Sequence, residues 1–142
     1  MPDFTLHETD DNASPAQKEV FQRAQEAMGM VPNLIRILAG SPAAANAYLD
    51  LSARLAETDL TPAEQQAVLL SASFENGCHY CMAAHTGGAK QAGMDEDALE
   101  ALRTGAELDD PRLAAIRSLT REIVESRGYP SDEAVEAFRD AG

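Results

Sequence analysis

Four times in this chain a capping side chain is followed at once by proline: Ser14-Pro15, Ser41-Pro42, Thr61-Pro62 and Asp110-Pro111. A Ser, Thr or Asp oxygen accepts from the unpaired N–H groups of a first helical turn. Proline suits the first helical position, where its missing N–H has no bond to lose. Two of the pairs extend to reciprocal capping boxes, Ser14 with Gln17 and Thr61 with Glu64. Gly29, Gly40, Gly77, Gly93, Gly105 and Gly128 offer matching stops. Together these signals predict helices over 15–28, 32–39, 42–57, 62–76, 78–92, 95–104, 111–126 and 131–141. No segment alternates β-branched residues as a strand does, so the expected fold class is all-α. Residues 1–13 read as an arm or tail, and 14–142 as one helical domain long enough for a real core.

Two of these helices suggest how they pack. Ala63, Ala67, Leu70 and Phe74 recur at helical spacing and predict a core-facing stripe in 62–76. Helix 42–57 is crowded with alanine (Ala43, Ala44, Ala45, Ala47, Ala53, Ala56) beside Leu49, Leu51 and Leu55, which lets helix axes approach closely. Tryptophan is absent, so the core layers must be aliphatic, and a core shared within an oligomer would help such a chain. A net charge of −13 argues against nucleic acid and anionic membrane surfaces as partners, since both need a basic footprint. No apolar run approaches the roughly 20 residues of a membrane span. The N-terminus is polar and acidic (Asp3, Glu8, Asp10, Asp11) and does not resemble a signal peptide. The expected compartment is the cytosol, where a cysteine pair is redox-active or metal-bound more often than a structural staple.

Both cysteines lie in one stretch, Asn76-Gly77-Cys78-His79-Tyr80-Cys81-Met82-Ala83-Ala84-His85. If it is helical from Cys78, Cys81 sits about 60° from Cys78 and His85 falls between them one turn on. Two thiols and an imidazole then share a stripe, whereas Tyr80 lies about 200° round and faces elsewhere. Gly77 breaks the preceding helix and sets Cys78 at the start of the next, where free N–H groups and the dipole favour a thiolate. His85 is placed to accept the Cys81 proton. The two-residue spacer permits a disulfide, so one thiol attacks and the other resolves. Two other readings stay open: a buried inert pair, or zinc held by Cys78, Cys81, His85 and His79. His79 points about 100° off the stripe, and no second Cys-x-x-Cys exists. His7 reads as a solvated tail residue.

The stretch from Glu75 to His85 resembles the signature of alkylhydroperoxidase D-like proteins of the carboxymuconolactone decarboxylase superfamily. Met30 to Leu34, Leu60 to Glu64 and Gly88 to Gly93 also look like family segments, so the resemblance spans residues 20 to 140. It implies an all-helical, oligomeric fold assembling as trimers or hexamers. It also implies a thiol-dependent activity on peroxides or disulfides. Members that decarboxylate the lactone generally lack the cysteine pair, which puts this chain on the redox branch. The family usually has a glutamate twelve residues before the first cysteine, as part of a proton relay; here that position is Gln66. An amide hydrogen-bonds but carries no proton at accessible pH. Glu64 and Glu75 lie about 200° and 180° from Gln66 round the helix, so neither substitutes. At the position of Tyr80 some members carry histidine and many carry tyrosine.

The resulting expectation is a cytosolic thiol peroxidase or disulfide reductase cycling a Cys78–Cys81 dithiol. Cys78, Cys81 and His85 are the catalytic candidates, Gln66 stands at the relay position, and His79 and Tyr80 are secondary. No bound cofactor or metal is expected. An external dithiol, a lipoyl group or a thioredoxin-like protein, would restore the reduced state. Alternatives are a non-enzymatic redox sensor or disulfide carrier with a weakened relay, and a decarboxylase-type enzyme that does not use the cysteines.

Overall fold

Helix N-termini follow the capping chemistry almost residue for residue. The computed structural model describes residues 5–7 and 12–142. Their helices are α1 (Pro15–Met28), α2 (Asn33–Leu38), α3 (Pro42–Ala56), α4 (Pro62–Glu75), α5 (His79–Gln91), α6 (Glu96–Thr104), α7 (Pro111–Glu125) and α8 (Asp132–Asp140). No strand occurs among the described residues. Both capping boxes close: Ser14 N–H donates to Gln17 at 2.9 Å and Thr61 N–H to Glu64 at 2.8 Å, with each return bond at 3.3 Å. Asp110 Oδ1 accepts from the N–H groups of Arg112 and Leu113. Ser41 departs from the expectation: its side chain makes no cap bond, and α3 starts on proline alone. Two of the expected glycine stops also differ. Gly40 is not left-handed, and after α7 the left-handed residue at the helix end is Arg127 (φ 58°), with Gly128 one residue later.

The chain divides into two compact units, Met1–Thr58 and Asp59–Gly142. In the first, α1 packs on α2 and α3, and α2 on α3. Val20, Phe21, Ala24, Ile35, Ala39, Ala45 and Leu49 form its core. Arg23 ties α1 to α3 by donating to Asn46 and, at 2.6 Å, to Asp50. The alanines of α3 divide: Ala45 is buried with Leu49, while the other five and Leu51 (72% exposed) lie at the surface. Of the expected arm, residues 1–4 and 8–11 lie outside the described residues. His7 departs from a solvated tail residue: it is half-buried, its N–H donates to Arg36 O at 3.3 Å, and Arg36 Nε donates to its carbonyl at 2.9 Å.

In the second unit α4 is the central element, packed on α5, α6 and α7, with α8 against α7. Ala67 and Leu70 of α4 meet Ala89, Met94, Leu99, Leu102, Leu108, Leu113 and Ile116. Leu70 and Leu102 are almost fully buried, so truncating either to alanine costs about 2–5 kcal/mol. Phe74 is a correction to the expected stripe: it is 41% exposed, and its ring lies over Gly105, where a Cβ would fall 2.8 Å from Cζ. Ser71 and Ser73 are buried with each hydroxyl donating to a carbonyl one turn back, Ala67 O and Leu69 O, both at 2.6 Å. That bond satisfies them without any tertiary partner. Among the described residues no helix is long and apolar enough to cross a membrane.

Candidate functional site

The end of α4 and the start of α5 share one residue. Gly77 takes the left-handed conformation (φ 59°), its N–H donates to Phe74 O at 3.0 Å, and Cys78 N–H donates to Ser73 O at 2.9 Å. This paired closure terminates a helix with a sharp reversal, and glycine meets it without steric cost. Cys78 therefore closes α4 with its N–H and caps α5 with its side chain. The helix begins one residue later than the reading from Cys78, at His79. Cys78 Sγ accepts from Cys81 N–H at 3.3 Å, and the two sulfurs are joined as a disulfide with a Cα–Cα separation of 5.3 Å. No acidic residue stands in the first turn of α5. On reduction the positive end of this helix is open to a thiolate.

His85 lies four residues beyond Cys81 in α5, hence on the same face one turn on. It is half-buried, and desolvation pushes its imidazole below the ordinary histidine value, which favours the neutral ring. Gln66, projecting from α4, meets it: His85 Nδ1 and Gln66 Oε1 are 3.2 Å apart. An amide oxygen only accepts, so this pairing is a hydrogen bond in the tautomer that carries its hydrogen on Nδ1 and keeps the lone pair on Nε2. The position singled out twelve residues before Cys78 thus faces the histidine in space, across 19 residues of sequence.

The nearby carboxylates are engaged elsewhere. Glu64 is buried, accepts from Arg112 Nε at 2.8 Å and closes the α4 capping box. The Arg112 bond, then the Thr61 N–H, hold its carboxyl below the usual range. Glu75 turns to Arg121 at 4.0 Å. His79 and Tyr80, the secondary candidates, are exposed in the first turn of α5, Tyr80 by 48%. Among the described residues no three His, Cys, Asp or Glu side chains gather as a metal would require, so the zinc arrangement of Cys78, Cys81, His85 and His79 is not formed here. One residue at the site escaped sequence reasoning. Gly88 lies against the Gln66 amide, with a built Cβ only 2.7 Å from Oε1. The available signal was a glycine pair, Gly87-Gly88, inside a helix, where glycine is destabilising.

Residues 42–122 match the model of the carboxymuconolactone decarboxylase family. No curated protein matches the chain. Among solved structures, the chain is similar to an uncharacterized peroxidase-related protein from Silicibacter sp. TM1040. The likeness has a TM-score of 0.79 at 24% identity and covers 99% of this chain and 76% of that one, which shows a shared fold. The match from α3 into α7 takes in more than half the chain and the whole Cys78–His85 segment, and the chain belongs to the carboxymuconolactone decarboxylase family.

Proposed function

We propose that this protein is an alkylhydroperoxidase D-like thiol oxidoreductase that reduces hydroperoxides or disulfides through Cys78 and Cys81. The observation that carries this reading is a cysteine pair at a helix start, bonded to each other, with a half-buried imidazole one turn on. In the peroxide cycle His85 Nε2 takes the Cys81 proton. The thiolate attacks the terminal oxygen of ROOH, the O–O bond breaks, and the alkoxide leaves as ROH with the proton from His85. Cys81 is now a sulfenic acid, oxidised by two electrons. Cys78 attacks its sulfur, the S–S bond forms, the S–O bond breaks and water leaves. An external dithiol, of the lipoyl or thioredoxin type, exchanges through Cys78 and is itself oxidised to a disulfide. Each turnover converts ROOH and a dithiol into ROH, water and a disulfide.

The test is stopped-flow oxidation of the fully reduced chain by a small alkyl hydroperoxide, counting free thiols before and after. Rapid loss of both thiols to an intramolecular disulfide is expected, and Cys81→Ser should abolish turnover while leaving the fold intact. Unchanged turnover in that variant would overturn the assignment.

A second reading is favoured by Gln66, a neutral amide where the family resemblance implies a carboxylate. In it the pair is a disulfide carrier or sensor whose relay does not transfer a proton to and from position 66. Slow reaction with peroxide beside rapid exchange with lipoamide or thioredoxin would decide for it, as would a large gain in peroxidase rate in Gln66→Glu. Homo-oligomeric assembly belongs to the same proposal. It would cover exposed apolar side chains such as Leu51, and sedimentation of the full chain tests it.

A further inference from the structure

Helix α5 carries two adjacent glycines, each costing about 0.5–1 kcal/mol relative to alanine in a helix interior. Neither has a positive φ, so backbone conformation requires neither of them. Their surroundings differ. A Cβ on Gly87 would meet nothing within 4 Å. One on Gly88 would fall 2.7 Å from Gln66 Oε1, 2.9 Å from its Cδ and 3.2 Å from its Nε2. The whole carboxamide therefore rests against the bare backbone of Gly88. The same amide oxygen lies 3.2 Å from His85 Nδ1, and His85 precedes Gly88 by three residues, a neighbouring position on the helix surface.

We infer that Gly88 is a positioning residue: its missing side chain makes a seat for the Gln66 carboxamide, and the seated amide fixes His85 as the Nδ1–H tautomer. The catalytic half of this inference rests on the thiol reading above. A neutral imidazole has one N–H and one lone pair. With Nδ1–H donated to the amide, Nε2 is the nitrogen that takes the Cys81 proton and returns it to the leaving alkoxide. A carboxylate at position 66 would set the same tautomer and add a negative charge that raises the basicity of the ring. The amide sets the tautomer alone. Gln66 therefore keeps the orienting part of a relay while giving up its proton-carrying part. Oε1 is the far end of a flexible side chain, so a methyl at position 88 displaces the amide and leaves the helix whole.

The experiment is nitrogen NMR of the His85 ring in the full-length, ¹⁵N-histidine-labelled chain, in its disulfide form at alkaline pH. The native chain is compared with Gly87→Ala, Gly88→Ala, Gln66→Ala and the double variant at 66 and 88. A protonated Nδ1 and a bare Nε2 are expected in the native chain and in Gly87→Ala. Gly88→Ala and Gln66→Ala should both shift toward the Nε2–H form, and the double variant should match Gln66→Ala alone. Thiol oxidation of reduced Gly88→Ala should be slower by roughly tenfold or more, the scale of a misplaced general base. Its unfolding midpoint should be no lower than that of the native chain. A bare Nδ1 in the native chain, a native tautomer in Gly88→Ala, or a changed tautomer with an unchanged rate would each overturn the inference. An unreactive native chain with the expected ring pattern would sink the thiol reading alone and still support the seat.

Discussion

The starts of α4 and α5 solve one problem with different atoms. At α4, Thr61 and Glu64 close a reciprocal box, and Arg112 fixes the second carboxylate oxygen. At α5, Cys78 Sγ accepts a single N–H, from Cys81, and no acid stands in the first turn. Both N-termini present unpaired donors and a partial positive charge. At α4 a permanent carboxylate neutralises that charge and the helix end is inert. At α5 it is left for an anion that exists only when the sulfurs are reduced. On the proposed function, the difference is that the capping atom at α5 can change oxidation state and no fixed charge competes with it.

The largest effect should come from making α5 resemble α4. Cys78→Ser supplies an oxygen cap of the kind Thr61 provides, so its stability should stay within about 0.5 kcal/mol of the native chain or rise slightly. The intramolecular disulfide cannot form, and turnover with a dithiol reductant should vanish. Unfolding curves and a turnover assay on one preparation separate the two. A large loss of stability would mean that the disulfide, rather than the cap, holds this helix start.

The reverse test disarms α4. Arg112→Leu leaves the Glu64 carboxylate buried with one fewer charged partner, for a loss of about 2 kcal/mol at neutral pH. The sign of its pH dependence follows from the lowered Glu64 pKa. The native contribution is complete above the ordinary carboxyl value and is lost as pH falls through the lower folded value. The native and variant curves should therefore converge in acid. His85, also lowered, makes the native chain lose stability as pH falls from the ordinary histidine value toward the lower folded one, in both proteins alike. Denaturant unfolding across pH would show the two steps, and a gap that persists in acid would rule out the ionic account of Glu64.

Much of this contrast was legible in the sequence, because it is local. Thr61-Pro62-Ala63-Glu64 and Gly77-Cys78 state their cap geometry within four residues, and the helix bounds follow. What the sequence could not state is which faces meet. Glu64 finds Arg112 across 48 residues and Gln66 finds His85 across 19, and no spacing rule reaches that far. Phe74 had the right period for the core stripe but sits on its edge over Gly105, since period gives a direction and not a depth. Gln66 came to notice through family resemblance, which marked a position without its contact. Gly88 lay inside a family segment with no role, because the reason for it is the volume of a side chain on another helix.

The smallest predicted effect sharpens the comparison at its most sensitive point. His79→Glu places a carboxylate in the first turn of α5, where an acid stands at the matching end of α4. The side chain is exposed, so nothing in the core has to move. The dipole should favour the new charge by about 0.3–1 kcal/mol, so stability should rise slightly. The same charge disfavours a thiolate one residue away and raises the Cys78 pKa. Alkylation of the reduced chain by iodoacetamide, measured against pH, should then be several-fold slower near neutrality, because each unit of pKa removes about tenfold of thiolate. At high pH, where both proteins are fully thiolate, the two rates should meet. Slowing by the same factor at every pH would instead mean that His79 acts on the sulfur directly, and the absence of an acid from this helix start would lose its meaning.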